Sequence, residues 1–114
     1  MEMKIAVMGA SGLLGAAVCR ECLARGHKLL AYANRSWEEP KKKYGVSSLP
    51  MEKFDPMMRE FFDQWPDAVV NCAAISSPDM VDKNPDYARL INVESARKLA
   101  EVSAHLGARH LQVS

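Results

Sequence analysis

Three glycines stand at three-residue intervals in the stretch KIAVMGASGLLGAAV, where Gly9, Gly12 and Gly15 follow a short apolar run and enter a helix-like segment. Residues of this type and spacing can hold a pyrophosphate. The first glycine lets the chain turn sharply after a strand, the second lets backbone approach the phosphates, and the third lets helix and strand pack without a Cβ between them. The helix N-terminus adds unpaired N–H groups and the positive end of its dipole. Ser11, Leu13 and Leu14 lie in the same turn and join the glycines as cofactor-binding candidates. A tight turn with no ligand has the same spacing. The strand–turn–helix context is what favours the phosphate reading.

The choice of dinucleotide turns on the end of the second strand. A carboxylate about 20 residues beyond the glycines would accept the ribose 2′-hydroxyl of NAD, whereas an arginine suits the 2′-phosphate of NADP. Here the chain reads YANRSWEEPKKK. Ala33 and Asn34 offer no carboxylate, Arg35 offers a bidentate fork for a phosphate, and Ser36 adds a hydroxyl. Asn34, Arg35 and Ser36 are therefore cofactor-binding candidates, and NADP(H) is favoured over NAD(H). The lysines at 41–43 raise the local potential, although a run of like charge is commonly a solvated face.

Other chemistry finds less support. Cys19 and Cys22 form C-x-x-C, but well inside the first helix, away from the N-terminus where the dipole would activate a thiol. They read as small helix-face thiols, and Cys72 as a core thiol. His27, His105 and His110 are widely spaced and form no zinc-ligand pattern. Met51, Met57, Met58 and Met80 read as core or partner-facing filler. Neither Asp55 with Asp63 nor Glu38 with Glu39 has a spacing that identifies an acid–base pair. No metal site is expected.

The elements that must position the glycines can be read from periodicity. Lys4–Met8 is a buried strand, and residues 11–25 form a helix with Leu14, Val18 and Cys22 on its apolar face and Gly26 after its end. Lys28–Ala33 is a second strand. Residues 34–50 read as loop, with one helical turn at 39–44, and residues 51–54 as a weak third strand. Residues 56–65 are helical, with Asp55 as N-cap and Pro56 at N1. Residues 67–74 are apolar almost throughout, as a strand covered on both faces must be. Asn84 and Pro85 open a helix that runs to Leu106, with Leu99, Val102, Ser103 and Leu106 on its apolar stripe and Gly107 stopping it. Residues 109–114 begin a fifth strand. This alternation predicts a doubly wound, Rossmann-type α/β parallel sheet of five strands in the order 3-2-1-4-5, ending after strand 5.

The 114 residues suit one domain, 1–114, with no room for a second. Fifteen basic and 14 acidic residues leave a formal net charge of +1, which gives no reason to expect nucleic acid or an anionic membrane as partner. No apolar run is long enough for a membrane span, no leader is read at the N-terminus, and three cysteines make no disulfide framework. A cytoplasmic, reduced setting is expected.

The Gly-x-x-Gly-x-x-Gly turn resembles that of the extended short-chain dehydrogenase/reductases, with Met8 where that family often has Thr. The stretch PDAVVNCAA is similar to its fourth strand, which ends beside the cofactor, and INVESARKLAEVSAHLGARHLQVS to the following helix and strand. The resemblance is strongest to the dTDP-4-dehydrorhamnose reductase branch and, through SSPDMVDKNPDYARLINV, to the regulatory β subunits of methionine adenosyltransferase. It implies a dinucleotide site that also takes in Cys72, Ala73 and Ala74, with Asn92 at an Asn-Val position and Asp55 at an acidic position that contacts the adenine amino group. Read physically, Asp55 serves equally as a helix cap. Asn92 reads as a buried amide that hydrogen-bonds backbone across the sheet, because a partnerless one would be costly.

The resemblance also marks what is missing. The family's hydride-transfer enzymes use a Tyr-x-x-x-Lys pair. Here Tyr32, Tyr44 and Tyr87 are followed four residues on by Ser36, Ser48 and Ile91. Ser114 aligns just before the family's catalytic Ser/Thr. No catalytic residue is therefore assigned, and this chain alone is expected to be inactive, the substrate domain being absent. Three readings remain: the NADP(H)-binding part of a nucleotide-sugar reductase; the corresponding part of a regulatory subunit whose partner enzyme is methionine adenosyltransferase; or an interaction module without cofactor. An open fifth-strand edge would favour a homo-oligomer or marginal stability.

Overall fold

Five parallel strands form one sheet in the order β3-β2-β1-β4-β5. In the computed structural model, which describes residues 1–33, 45–51, 53–73 and 78–113, these are β1 (Lys4–Met8), β2 (Lys28–Ala33), β3 (Ser47–Ser48), β4 (Ala68–Asn71) and β5 (Arg109–Gln112). The helices are α1 (Leu13–Ala24), α2 (Phe54–Gln64), α3 (Pro78–Lys83), α4 (Pro85–Arg89) and α5 (Ala96–Leu106), with a π-helical segment, Leu90–Ser95, joining the last two. The predicted strand order is the observed one.

β1 lies at the centre because it is apolar on both faces. Ile5 pairs with Leu29 of β2 on one side and Ala68 of β4 on the other. Its side chains alternate between two cores, as a pleated strand requires. Ile5 and Val7 join Cys19, Cys22, Ala31 and Ala33 beneath α1. Ala6 and Met8 join Met57, Phe61, Val69, Leu99, Val102 and Leu106 beneath α2 and α5. Tyr32 stands edge-on to Phe61 in the second core, ring centroids 5.8 Å apart.

The predicted stripe Leu99, Val102, Ser103 and Leu106 is buried along α5. Gly107 takes φ 69° at its end, where its N–H reaches the Ala104 carbonyl at 3.1 Å. That left-handed turn closes a helix without Cβ strain.

Several expectations are corrected. The buried face of α1 is Gly15, Cys19 and Cys22, while Leu14 is half exposed. The close glycine–strand contact described below decides that rotation, not the larger side chains. The third strand is Ser47–Ser48, not 51–54: Met51 lies in a turn and Phe54 already begins α2. The two serines are too polar to read as a strand, but Val46 and Leu49 beside them anchor the two cores. Lys53, not Asp55, is the N-cap of α2, without a side-chain cap bond, and Asp55 sits in the first turn. Helix α3 lies in a stretch to which the periodicity assigns no element. The helix from Asn84 to Leu106 is interrupted by its π segment. The helical turn expected at 39–44 lies outside the described residues.

Candidate functional site

The C-terminal ends of β1 and β4 meet where the sheet order reverses, with successive strands leaving β1 in opposite directions. Crevices of this kind are where open α/β sheets bind ligands. Gly9 follows β1 with φ 74°. The Gly12 N–H closes the turn onto the Gly9 carbonyl at 3.1 Å, and the Ala16 N–H begins the helical ladder on Gly12 at 2.8 Å. Gly12 is the N-cap of α1, in extended conformation, and no acidic residue lies in the first turn. No side-chain charge of its own first turn offsets the positive helix end.

The three glycines have three distinct steric positions. A Cβ on Gly9 would come within 2.7 Å of the Ala73 nitrogen and 2.8 Å of the Cys72 carbonyl carbon. A Cβ on Gly15 would overlap the Gly9 carbonyl, its carbon 2.7 Å away. Among the described residues a Cβ on Gly12 would meet nothing closer than the Gly9 oxygen at 3.4 Å. Packing therefore requires glycine at 9 and 15, and leaves 12 free to be glycine for another reason. Leu13 is 93% exposed, so the first turn of α1 opens to solvent.

The structure brings Gly9, Ser11, Gly12, Leu13, Leu14 and Gly15 to one edge, with Cys72 and Ala73 against Gly9. The Cys72 N–H donates to the Met8 carbonyl at 3.0 Å. Asp55 is exposed on the first turn of α2, beside a cleft of about 350 Å³ shared with Lys53, Phe54 and Pro56. Asn92 lies in the π segment and is exposed, so the burial argument for it does not hold. Asn34, Arg35, Ser36 and Ala74 lie outside the described residues.

The buried amide is Asn71, which is fully enclosed. Its Oδ1 accepts from the Ala73 N–H at 3.0 Å and its Nδ2 donates to Gln112 Oε1 at 2.9 Å. A polar residue at the end of the run AVVN was the available signal.

A second, larger cleft of about 550 Å³ lies at the β3 edge, lined by Ser47, Ser48, Arg59, Glu60 and Asp63 among others. The Tyr32 hydroxyl there donates to Glu60 at 2.7 Å. Burial, then that bond and the Glu60 charge, push the phenol well above its ordinary range. Burial likewise raises the Cys19, Cys22 and Cys72 thiols. Among the described residues no group of His, Cys, Asp or Glu is placed to hold a metal ion, and no helix is long and apolar enough to cross a membrane.

The family model for the RmlD substrate binding domain matches residues 3–114. The chain is 32% identical over 108 residues to methionine adenosyltransferase 2 subunit beta of Xenopus tropicalis, covering 95% of this chain and 31% of that protein. It is 27% identical over 111 residues to dTDP-4-dehydrorhamnose reductase of Mycobacterium tuberculosis, covering 97% of this chain and 32% of that protein. The crystal structure of dTDP-4-dehydrorhamnose reductase from Bacillus anthracis, in complex with NADP, superposes with a TM-score of 0.74 at 24% identity, over 96% of this chain and 35% of the other. The chain thus spans about a third of the length of these relatives.

Proposed function

The chain belongs to the RmlD substrate-binding-domain family, and from that membership we propose that it is the NADP(H)-binding part of a nucleotide-sugar reductase-like protein. The observation that carries this reading is the steric division among the glycines. Positions 9 and 15 are glycine for packing, whereas among the described residues a Cβ at Gly12 would meet only the Gly9 oxygen, at 3.4 Å, beside a helix N-terminus with no acidic residue in its first turn. A cradle that a Cβ would narrow suits a pyrophosphate. Residues 9–15 would hold the phosphates through backbone N–H groups, Cys72 and Ala73 would form the facing wall, and Arg35 with Asn34 and Ser36 would take the 2′-phosphate. Ala74, Asp55 and Asn92 complete the set carried by the resemblance, Asp55 toward the adenine. A nicotinamide dinucleotide, when bound, supplies or accepts a hydride. Residues 1–114 contain no Tyr-x-x-x-Lys to move the accompanying proton, so this chain alone binds without turning over.

Calorimetric titration with NADPH and NADH tests the reading. NADPH is expected to bind more tightly, and Arg35→Ala to remove the preference. Gly12→Ala is expected to keep stability to within about 1 kcal/mol while weakening both cofactors. No binding of either cofactor at millimolar concentration would sink it.

A second reading is favoured by the 32% identity to a methionine adenosyltransferase subunit. On that reading the nucleotide site serves a regulatory protein, with methionine adenosyltransferase as its partner enzyme. Co-elution of this chain with the catalytic subunit, strengthened by NADPH, would support it.

A further inference from the structure

Asn71 is committed in both directions, and the order is forced from one end. A backbone N–H only donates, so Asn71 must turn its oxygen to Ala73 and its nitrogen to Gln112, and Gln112 must answer with its oxygen. Asn71 and Gln112 are register partners across β4 and β5. The same Gln112 Oε1 lies 3.4 Å from His110 Nε2, and His110 Nδ1 lies 3.1 Å from Ser103 Oγ. The Ser103 hydroxyl reaches the Leu99 carbonyl at 2.8 Å. A neutral imidazole has one N–H for these two contacts, so the continuous link runs from Gln112 through Asn71 to the Ala73 peptide, the one packed against Gly9.

We propose that Gln112 is a positioning residue: by accepting from Asn71, it satisfies the enclosed Nδ2 and anchors the amide that the Ala73 N–H orients, and so sets the wall facing the glycine turn. The positioning is a property of the ligand-free chain; only its effect on cofactor affinity rests on the nucleotide reading above. Gln112 works as an acceptor. Among the described residues its own Nε2 reaches the Val113 carbonyl, at 3.5 Å. Asn71 is enclosed, so a side chain of Gln112's length without the oxygen leaves Nδ2 shielded from water and unmade. The side chain then gains by swinging toward water, and Ala73 loses its acceptor.

Amide hydrogen exchange by NMR, on the full 114-residue chain, reads this directly. Gln112→Met keeps the length and removes the acceptor. It is expected to speed Ala73 exchange about tenfold, the loss of one buried hydrogen bond, while Cys72, held by Met8, changes by less than about twofold. NADPH affinity is expected to fall about tenfold with it. Gln112→Glu keeps an acceptor oxygen and should restore both; a purely structural role for the residue would not predict that rescue. Unchanged Ala73 exchange in Gln112→Met, or equal damage in Gln112→Glu, overturns the proposal. If the unaltered chain binds neither NADPH nor NADH, the nucleotide reading fails and the Ala73 exchange pattern alone decides the positioning.

Discussion

Gly15 shows how one missing Cβ can decide a whole interface. Its α-carbon packs against the Gly9 carbonyl, which draws α1 onto the end of β1 and turns Cys19 and Cys22 inward. Gly15→Ala must displace helix or turn backbone, and is expected to cost more than about 3 kcal/mol in urea unfolding, at the upper end of overpacking effects. Cys19 follows from the same rotation. Burial first, then the neighbouring Cys22 and Cys72 thiols, push its pKa from 9.0 up to about 12. Between those values the unfolded chain has released the proton and the folded chain has kept it. The unfolded state binds fewer protons, so stability falls as pH rises above about 9. Tyr32, raised from 10.0, adds a loss of the same sign. Unfolding midpoints measured from pH 8 to pH 11 should decline, and Cys19→Ala should flatten the decline. Native Cys19 should also resist alkylation at pH 8 and react once unfolded.

The π-helical segment has its reason in the buried face. Ile91, Ser95 and Leu99 recur every four residues on the inner side. An α-helix turns past alignment at that spacing, since its period is 3.6. The wider π turn lets the stripe stay on the sheet. One of the three is poorly suited to the place: Ser95 is fully buried, and its hydroxyl has no hydrogen-bond partner among the described residues. Ser95→Ala is therefore expected to stabilise the protein by about 1 kcal/mol, by removing an unmade buried hydroxyl and improving helix propensity. A lower melting temperature for Ser95→Ala would show that the hydroxyl is used.

The sheet as a whole is unevenly covered. α2 and α5 close one face, while among the described residues the other is covered by α1 over β1 and β2. Over β4 and β5 on that side, Ala68 and Val70 are half-buried and Leu111 is 60% exposed. Among the described residues β5 is also an edge strand, with one row of backbone groups open to pairing. Exposed apolar surface beside an open edge favours self-association. Light scattering is expected to show a mass that grows with concentration, and Leu111→Lys to shift it toward the monomer. A concentration-independent monomer for the unaltered chain would contradict this.

Much of the fold was legible in the sequence because its signals are local. Apolar runs of strand length, Gly26 and Gly107 after helices, and Asn84-Pro85 before one each depend on a few neighbouring residues. Together they determined the alternation, and the alternation the order 3-2-1-4-5. The glycine turn is local in the same way, since strand, turn and helix adjoin in the chain. What stands opposite a residue was not legible. The apolar period pointed to Leu14, whereas α1 buries Gly15 against the Gly9 carbonyl, and it is that contact which sets the helix rotation. Ser47–Ser48 became the third strand through pairing with Tyr32 and Ala33, which no property of two serines announces. Asn92 fitted the pattern of a buried amide and lies exposed, whereas Asn71 carries that role because Gln112, 41 residues later, meets it across the sheet. Local propensity is written in the chain. Enclosure, register and the partner of a buried polar group depend on segments far apart in sequence, and only their assembly decides them.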